Sequence, residues 1–220
     1  MSKLQKAQPS MPSDHPVIPR ERVGVLLINL GTPDATDFWS IRRYLKEFLS
    51  DRRVIDVNPI FWKLLLNLVI LTVRPSIAGK AYKEIWVEET DESPLRLHTR
   101  NQSEFLQRMM DEKEENLVVD WAMRYGNPSI ASKLEMMRSK GCRRILLLAL
   151  YPQYSATTTA TAYDKAFEAL SKMRWQPSVR TAPAYPDDAT YIKALAGSVK
   201  SHIAKLDWKP DLLLTSFHGL

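Results

Sequence analysis

Two runs of branched apolar residues constrain this chain more than any other feature. Arg22–Asn29 (RVGVLLIN) and Ile145–Leu150 (ILLLAL) are continuous in polarity rather than alternating. A strand with one wet face alternates, so a strand that is apolar on both faces must be covered on both. Between and around them the apolar spacing turns helical. Phe38, Ile41, Leu45 and Phe48 predict a helix over Asp34–Leu49, with Thr32-Pro33 as its cap and first turn. Further helices are expected over Arg74–Val87, from Ser93-Pro94 to about Lys113, from Asn127-Pro128 to Lys140, over Ala156–Lys172, and from Asp187 or Asp188 to about Lys205. Leu117–Met123, Val179–Ala182 and Leu212–Thr215 read as the remaining strands. Strands alternating with helices imply an α/β fold, a parallel sheet flanked by helices.

Composition removes several classes. Of 220 residues, 45% are hydrophobic and 25% charged, which is ordinary for a globular chain and excludes bulk disorder. The single cysteine, Cys142, forms no internal disulfide, and Met1–Arg20 has no apolar run of signal-peptide length. These features predict a reduced, cytoplasmic protein with a mobile tail over 1–20. Lys and Arg number 31 against 25 Asp and Glu, and the sequence pI is near 9.4. The arginines are scattered over several elements, so no nucleic-acid interface is expected.

Ile60–Val73 (IFWKLLLNLVILTV) is interrupted by Lys63, Asn67 and Thr72 and, taken alone, is shorter than a bilayer span of about 20 residues. Two readings stand. It is a buried core helix, or it is an apolar lip over a greasy ligand or on a membrane surface.

In a parallel sheet, ligands sit beyond the carboxyl ends of the strands. Those ends are Asn29–Pro33 (NLGTP), Arg124–Pro128 (RYGNP), Tyr151–Ser155 (YPQYS) and Ser216–Leu220 (SFHGL). None is a GxGxxG or P-loop, and no CxxC or HExxH occurs. Among four histidines, His15 lies in the tail, and His98 and His202 fall inside helical stretches. His218 directly follows the last expected strand, where an imidazole can serve as base or metal ligand or be a terminal residue without a role.

Asn29–Pro33, Phe48–Val54 (FLSDRRV), Tyr151–Ser155 and Ser216–Leu220, in this order and spacing, resemble the ferrochelatase family. Its members insert ferrous iron into protoporphyrin IX, the last step of haem synthesis. The likeness runs from about Arg22 to the end. It implies two similar α/β lobes around a porphyrin cleft, and a chain of this length resembles the front part: a first lobe over 21–187 and the opening of a second over 188–220.

The resemblance assigns His218 as the family histidine, either metal ligand or acceptor of pyrrole protons. It implies porphyrin contacts at Leu30, Arg74, Tyr82 and Ser93; Tyr154, at the mouth of the Ile145 strand, lines the cleft or packs in the core, and Arg52 and Arg53 are candidate partners for propionates or a solvated pair after the helix. Leu30 stands where relatives carry Met or Tyr, so it can press on a ring but cannot ligate iron. The Ile60–Val73 run corresponds to the family's apolar lip, with peripheral membrane contact a further expectation. Ala156 occupies the place of a cluster cysteine in some relatives, so a [2Fe–2S] cluster is not expected. No tightly bound cofactor is expected, and iron is substrate. Asn127 stands where some relatives have histidine, so nothing is assigned to it. Alternatives are a cobalt or nickel tetrapyrrole chelatase of the same fold, or a non-catalytic porphyrin-binding module.

Overall fold

The computed structural model describes residues 21–113 and 116–216. Four strands form one sheet, β1 (Arg22–Gly31), β2 (Leu117–Tyr125), β3 (Cys142–Ala149) and β4 (Ser178–Thr181), in the order β2-β1-β3-β4. All three pairings are parallel. The helices are α1 (Phe38–Leu49), α2 (Pro59–Leu65), α3 (Leu71–Glu84), α4 (Pro94–Asp111), α5 (Ile130–Ser139), α6 (Thr161–Ser171) and α7 (Ala189–Ile203).

The continuous polarity of β1 has the predicted consequence: it is central and buried on both faces. Leu26 and Ile28 join Ile145 and Leu147 of β3 against Leu134 and Met137 of α5 and Ala162, Ala166 and Leu170 of α6. The small alanines let α6 lie close to the sheet. On the opposite face, Asn29 donates through its side chain to Thr99 of α4 at 3.0 Å. Beyond it, α1 and α3 enclose a second cluster of Ile41, Tyr44, Leu45, Leu49, Leu66, Leu71 and Tyr125.

Three expected boundaries move. Helix α1 begins at Phe38, where the Asp37 carboxylate accepts from the Trp39 and Ser40 N–H groups, because Thr32 is buried and turned away from any helix start. Helix α5 begins at Ile130 under a Ser129 cap, since the Pro128 carbonyl folds back to accept from Met123 N–H at 2.8 Å. Leu212–Thr215 forms no strand, and Leu212 and Leu214 are exposed. An extended segment becomes a strand only beside a partner that completes its ladder, and none of the described strands lies there.

Ile60–Val73 is not a buried core helix. It runs without a break from α2 through a wide π-type turn at Leu66–Ile70 into α3, giving 26 helical residues over Pro59–Glu84. That helix is long and apolar enough, by length and composition alone, to cross a bilayer. Leu66, Leu71, Pro75 and Gly79 form its buried side. Ile60, Phe61, Leu64, Leu68, Val69, Val73 and Ile77 are all more than half exposed.

Its inner side is fitted to α1 by two local devices. Pro75 has no N–H to give the Leu71 carbonyl, and the Arg42 Nε of α1 donates to that oxygen at 3.2 Å instead. A Cβ at Gly79 would sit 2.8 Å from the Thr36 carbonyl oxygen, so only glycine permits this approach.

Candidate functional site

At the carboxyl edge of the sheet, Gly31 at the end of β1 faces Tyr125 at the end of β2. Gly31 has φ +117°, and a Cβ there would lie 1.9 Å from the Tyr125 carbonyl oxygen. This close passage fixes where β2 delivers Arg124 and Tyr125, two residues the sequence reading left without a role.

Both converge on Asp51, just past the end of α1. Arg124 Nη2 meets Asp51 Oδ2 at 2.5 Å, the Tyr125 hydroxyl donates to the same oxygen at 2.8 Å, and the Thr161 hydroxyl of α6 donates to it as well. Asp51 Oδ1 accepts from Arg53 N–H at 2.7 Å. Arg124 Nε also donates to Thr161 at 2.7 Å, and its guanidinium lies 4.2 Å from the Tyr125 ring centre. Burial would raise the Asp51 carboxyl, but the hydrogen bonds from Thr161, Arg53 and Tyr125 and the charge of Arg124 outweigh it and hold the group below its ordinary value. Asp51 is therefore an anion at neutral pH. It ties the end of α1, the end of β2 and the start of α6 into one unit.

Beneath this network the rings of the α1–α3 cluster pack on one another in the core. Phe48 stacks parallel to Tyr44 at 6.2 Å and meets Tyr125 edge-on at 5.1 Å, while Tyr82 meets Tyr44 edge-on at 6.2 Å. Burial pushes the hydroxyls of Tyr44, Tyr82, Tyr125 and Tyr151 above the ordinary phenol value, so all four stay protonated near neutrality. Around Asp51 opens a hollow of about 550 Å³ whose lining includes Arg43, Lys46, Arg52 and Lys165 as well as Arg124, with Glu47 and Asp51 the only carboxylates among the described residues. Cations gathered around one hollow suit a ligand that carries carboxylates.

The expected site residues fall into separate groups. Leu30 and Tyr82 pack against the same α1–α3 cluster. Arg52 lines the basic hollow. Arg53 Nε donates to Asp164 at 2.7 Å, and that bond, with smaller contributions including Tyr154, raises the arginine further. Tyr154 itself is exposed. Arg74 is exposed on α3 and makes no side-chain hydrogen bond or ion pair among the described residues. Ser93 is buried, and its hydroxyl oxygen caps α4 by accepting from Arg96 N–H at 3.2 Å. His218 lies outside the described residues. Among the described residues no three His, Cys, Asp or Glu side chains are grouped to hold a metal ion.

Asp51 was within reach of sequence reading. It precedes Arg52 and Arg53 inside the FLSDRRV motif, as Arg124-Tyr125 open RYGNP. What no local pattern carries is that these two motifs meet.

The ferrochelatase family profile matches residues 22–220. A ferrochelatase of Rhizobium etli is 58% identical over 209 residues, covering 95% of this chain and 60% of that protein. One of Agrobacterium fabrum is 55% identical over 211 residues, covering 96% of this chain and 61% of that protein. A third, of Chelativorans, is 52% identical over 216 residues. The chain thus spans about three fifths of the length of these relatives. With the family matched along nearly every described residue, the chain belongs to the ferrochelatase family.

Proposed function

We propose that the protein to which this chain contributes inserts ferrous iron into protoporphyrin IX, the lyase reaction that ends haem synthesis. Membership of residues 22–220 in the ferrochelatase family carries this reading. The lone pairs of a planar porphyrin lie in the ring plane, where an approaching metal cannot reach them. A site complementary to a bent ring lowers that barrier. Leu30 and Tyr82 press on the macrocycle and the exposed side of Pro59–Glu84 overhangs it. Arg52, Arg53 and Arg74 hold propionates, with Ser93 and Tyr154 as further contacts. His218 serves as iron ligand or accepts the pyrrole protons that must leave as the metal enters.

Iron is the substrate, and no resident cofactor or [2Fe–2S] cluster is proposed. Residues 188–220 are the opening of a second lobe. The protein is cytoplasmic, and Ile60–Val73 gives it peripheral contact with a membrane.

The test is anaerobic Fe(II) insertion, followed by loss of porphyrin fluorescence. It compares the 220-residue chain with a chimaera completed by the C-terminal part of the Rhizobium etli relative. Insertion by the chimaera, lost on His218→Ala, supports the reading. A chimaera that prefers cobalt or nickel, or that binds porphyrin without loading it, overturns it.

A further inference from the structure

Beneath the long helix, between the end of α1 and the first turns of α2, lies a cavity of about 360 Å³. That volume is within the range of small-molecule sites, roughly 300–1,000 Å³. Its walls include Ile55, Trp62 and Leu66. Trp62 is fixed there by its indole N–H, which donates to the Leu49 carbonyl at 2.7 Å.

Three cations, Lys46, Arg52 and Lys63, also line the cavity, and among the described residues no carboxylate does. None of the three has an acidic partner within 4.0 Å among the described residues. Like charges lining one cavity repel, and an anion seated between them relieves that repulsion. At 100° per residue, Trp62 and Leu66 lie on the side of the helix opposite Ile60 and Leu64, and Lys63 stands at the border between the two sides.

We propose that this cavity binds a monoanionic amphiphile, an acyl-chain carboxylate whose apolar body lies against Ile55, Trp62 and Leu66 and whose head sits among Lys46, Arg52 and Lys63. The cavity shares Lys46 and Arg52 with the basic hollow around Asp51, and the assignment needs no metal insertion.

The test titrates the 220-residue chain with decanoate, decanol and acetate by calorimetry and by tryptophan emission, with circular dichroism as the check on folding. Decanoate binds saturably, and decanol and acetate bind at least about tenfold more weakly. Lys46→Gln and Lys63→Gln each weaken decanoate binding about threefold, and the pair about tenfold, while Lys63→Arg keeps it. Trp62→Phe removes the change in emission. Equal binding of decanol would overturn the proposal by making the charges irrelevant, and equal binding of acetate by making the apolar walls irrelevant. Displacement of decanoate by protoporphyrin IX that persists in Arg52→Gln, where competition for that shared arginine is gone, would overturn it too, because the cavity would then be part of a tetrapyrrole cleft.

Discussion

Arg124 and Asp51, 73 positions apart, are joined at 2.5 Å with both side chains nearly buried. Breaking one partner of such a pair leaves the other charge desolvated without compensation. Asp51→Asn also weakens the acceptor for Tyr125 and Thr161. The expected cost is about 3 kcal/mol, read as a lower urea midpoint at unchanged slope. A loss under about 0.5 kcal/mol, the scale of an exposed pair, would show that the network contributes little.

The same carboxylate sets an acid limb. Its unfolded value is 3.8, and the folded value is lower. A depressed acid stabilises the fold fully above the unfolded value and loses that contribution as pH falls below it. The gap in urea midpoint between wild type and Asp51→Asn should hold constant from about pH 8 to 5 and narrow below about pH 4. A gap that stays constant to pH 3 would place the stabilisation elsewhere.

Much of the sheet was legible because RVGVLLIN and ILLLAL obey one simple rule: polarity that never alternates belongs to a doubly covered strand. Capping was less legible, since Thr32-Pro33 and Asp37 are both acceptable starts and only the burial of Thr32 decides between them. The Pro59–Glu84 helix stood between two readings because its apolar content suits a core as well as a lip, and packing decides which side is covered. The Asp51 network was least legible. Its members stand in two motifs and at the start of α6, and only the fold brings them together. Leu212–Thr215 has the composition of a strand but lacks a neighbour, and composition cannot supply one.

Gly31→Ala should be among the most damaging small substitutions. It places a methyl 1.9 Å from the Tyr125 carbonyl oxygen, where backbone rather than a movable side chain must yield, and at φ +117°. A loss of about 3 kcal/mol or more, or failure to accumulate folded chain, is expected. Gly197→Ala is the control, with nothing within 4 Å of its added Cβ. Similar midpoints for the two variants would refute the close approach.

Cys142 is fully buried, and burial pushes its thiol up. The thiolate is the reactive form, so a disulfide reagent should label the native chain far more slowly than the urea-unfolded one. Because labelling then waits on opening, Leu147→Ala, which removes a fully buried side chain at about 2–5 kcal/mol, should accelerate it. Equal rates in the native chain and in urea would mean that the β3 end of the core is open.

The two sides of the Pro59–Glu84 helix should respond oppositely to substitution. Leu71 is wholly buried against α1, and Leu71→Ala should cost about 2–5 kcal/mol. Leu68 is 69% exposed, and Leu68→Lys should change stability by less than about 0.5 kcal/mol. If the exposed side rests on a membrane, that same lysine should reduce sedimentation of the chain with neutral phosphatidylcholine vesicles, where the added charge gains no attraction. Loss of stability in Leu68→Lys equal to that of Leu71→Ala would mean that the outer side is packed in solution, and the lip would have to be sought elsewhere on the fold.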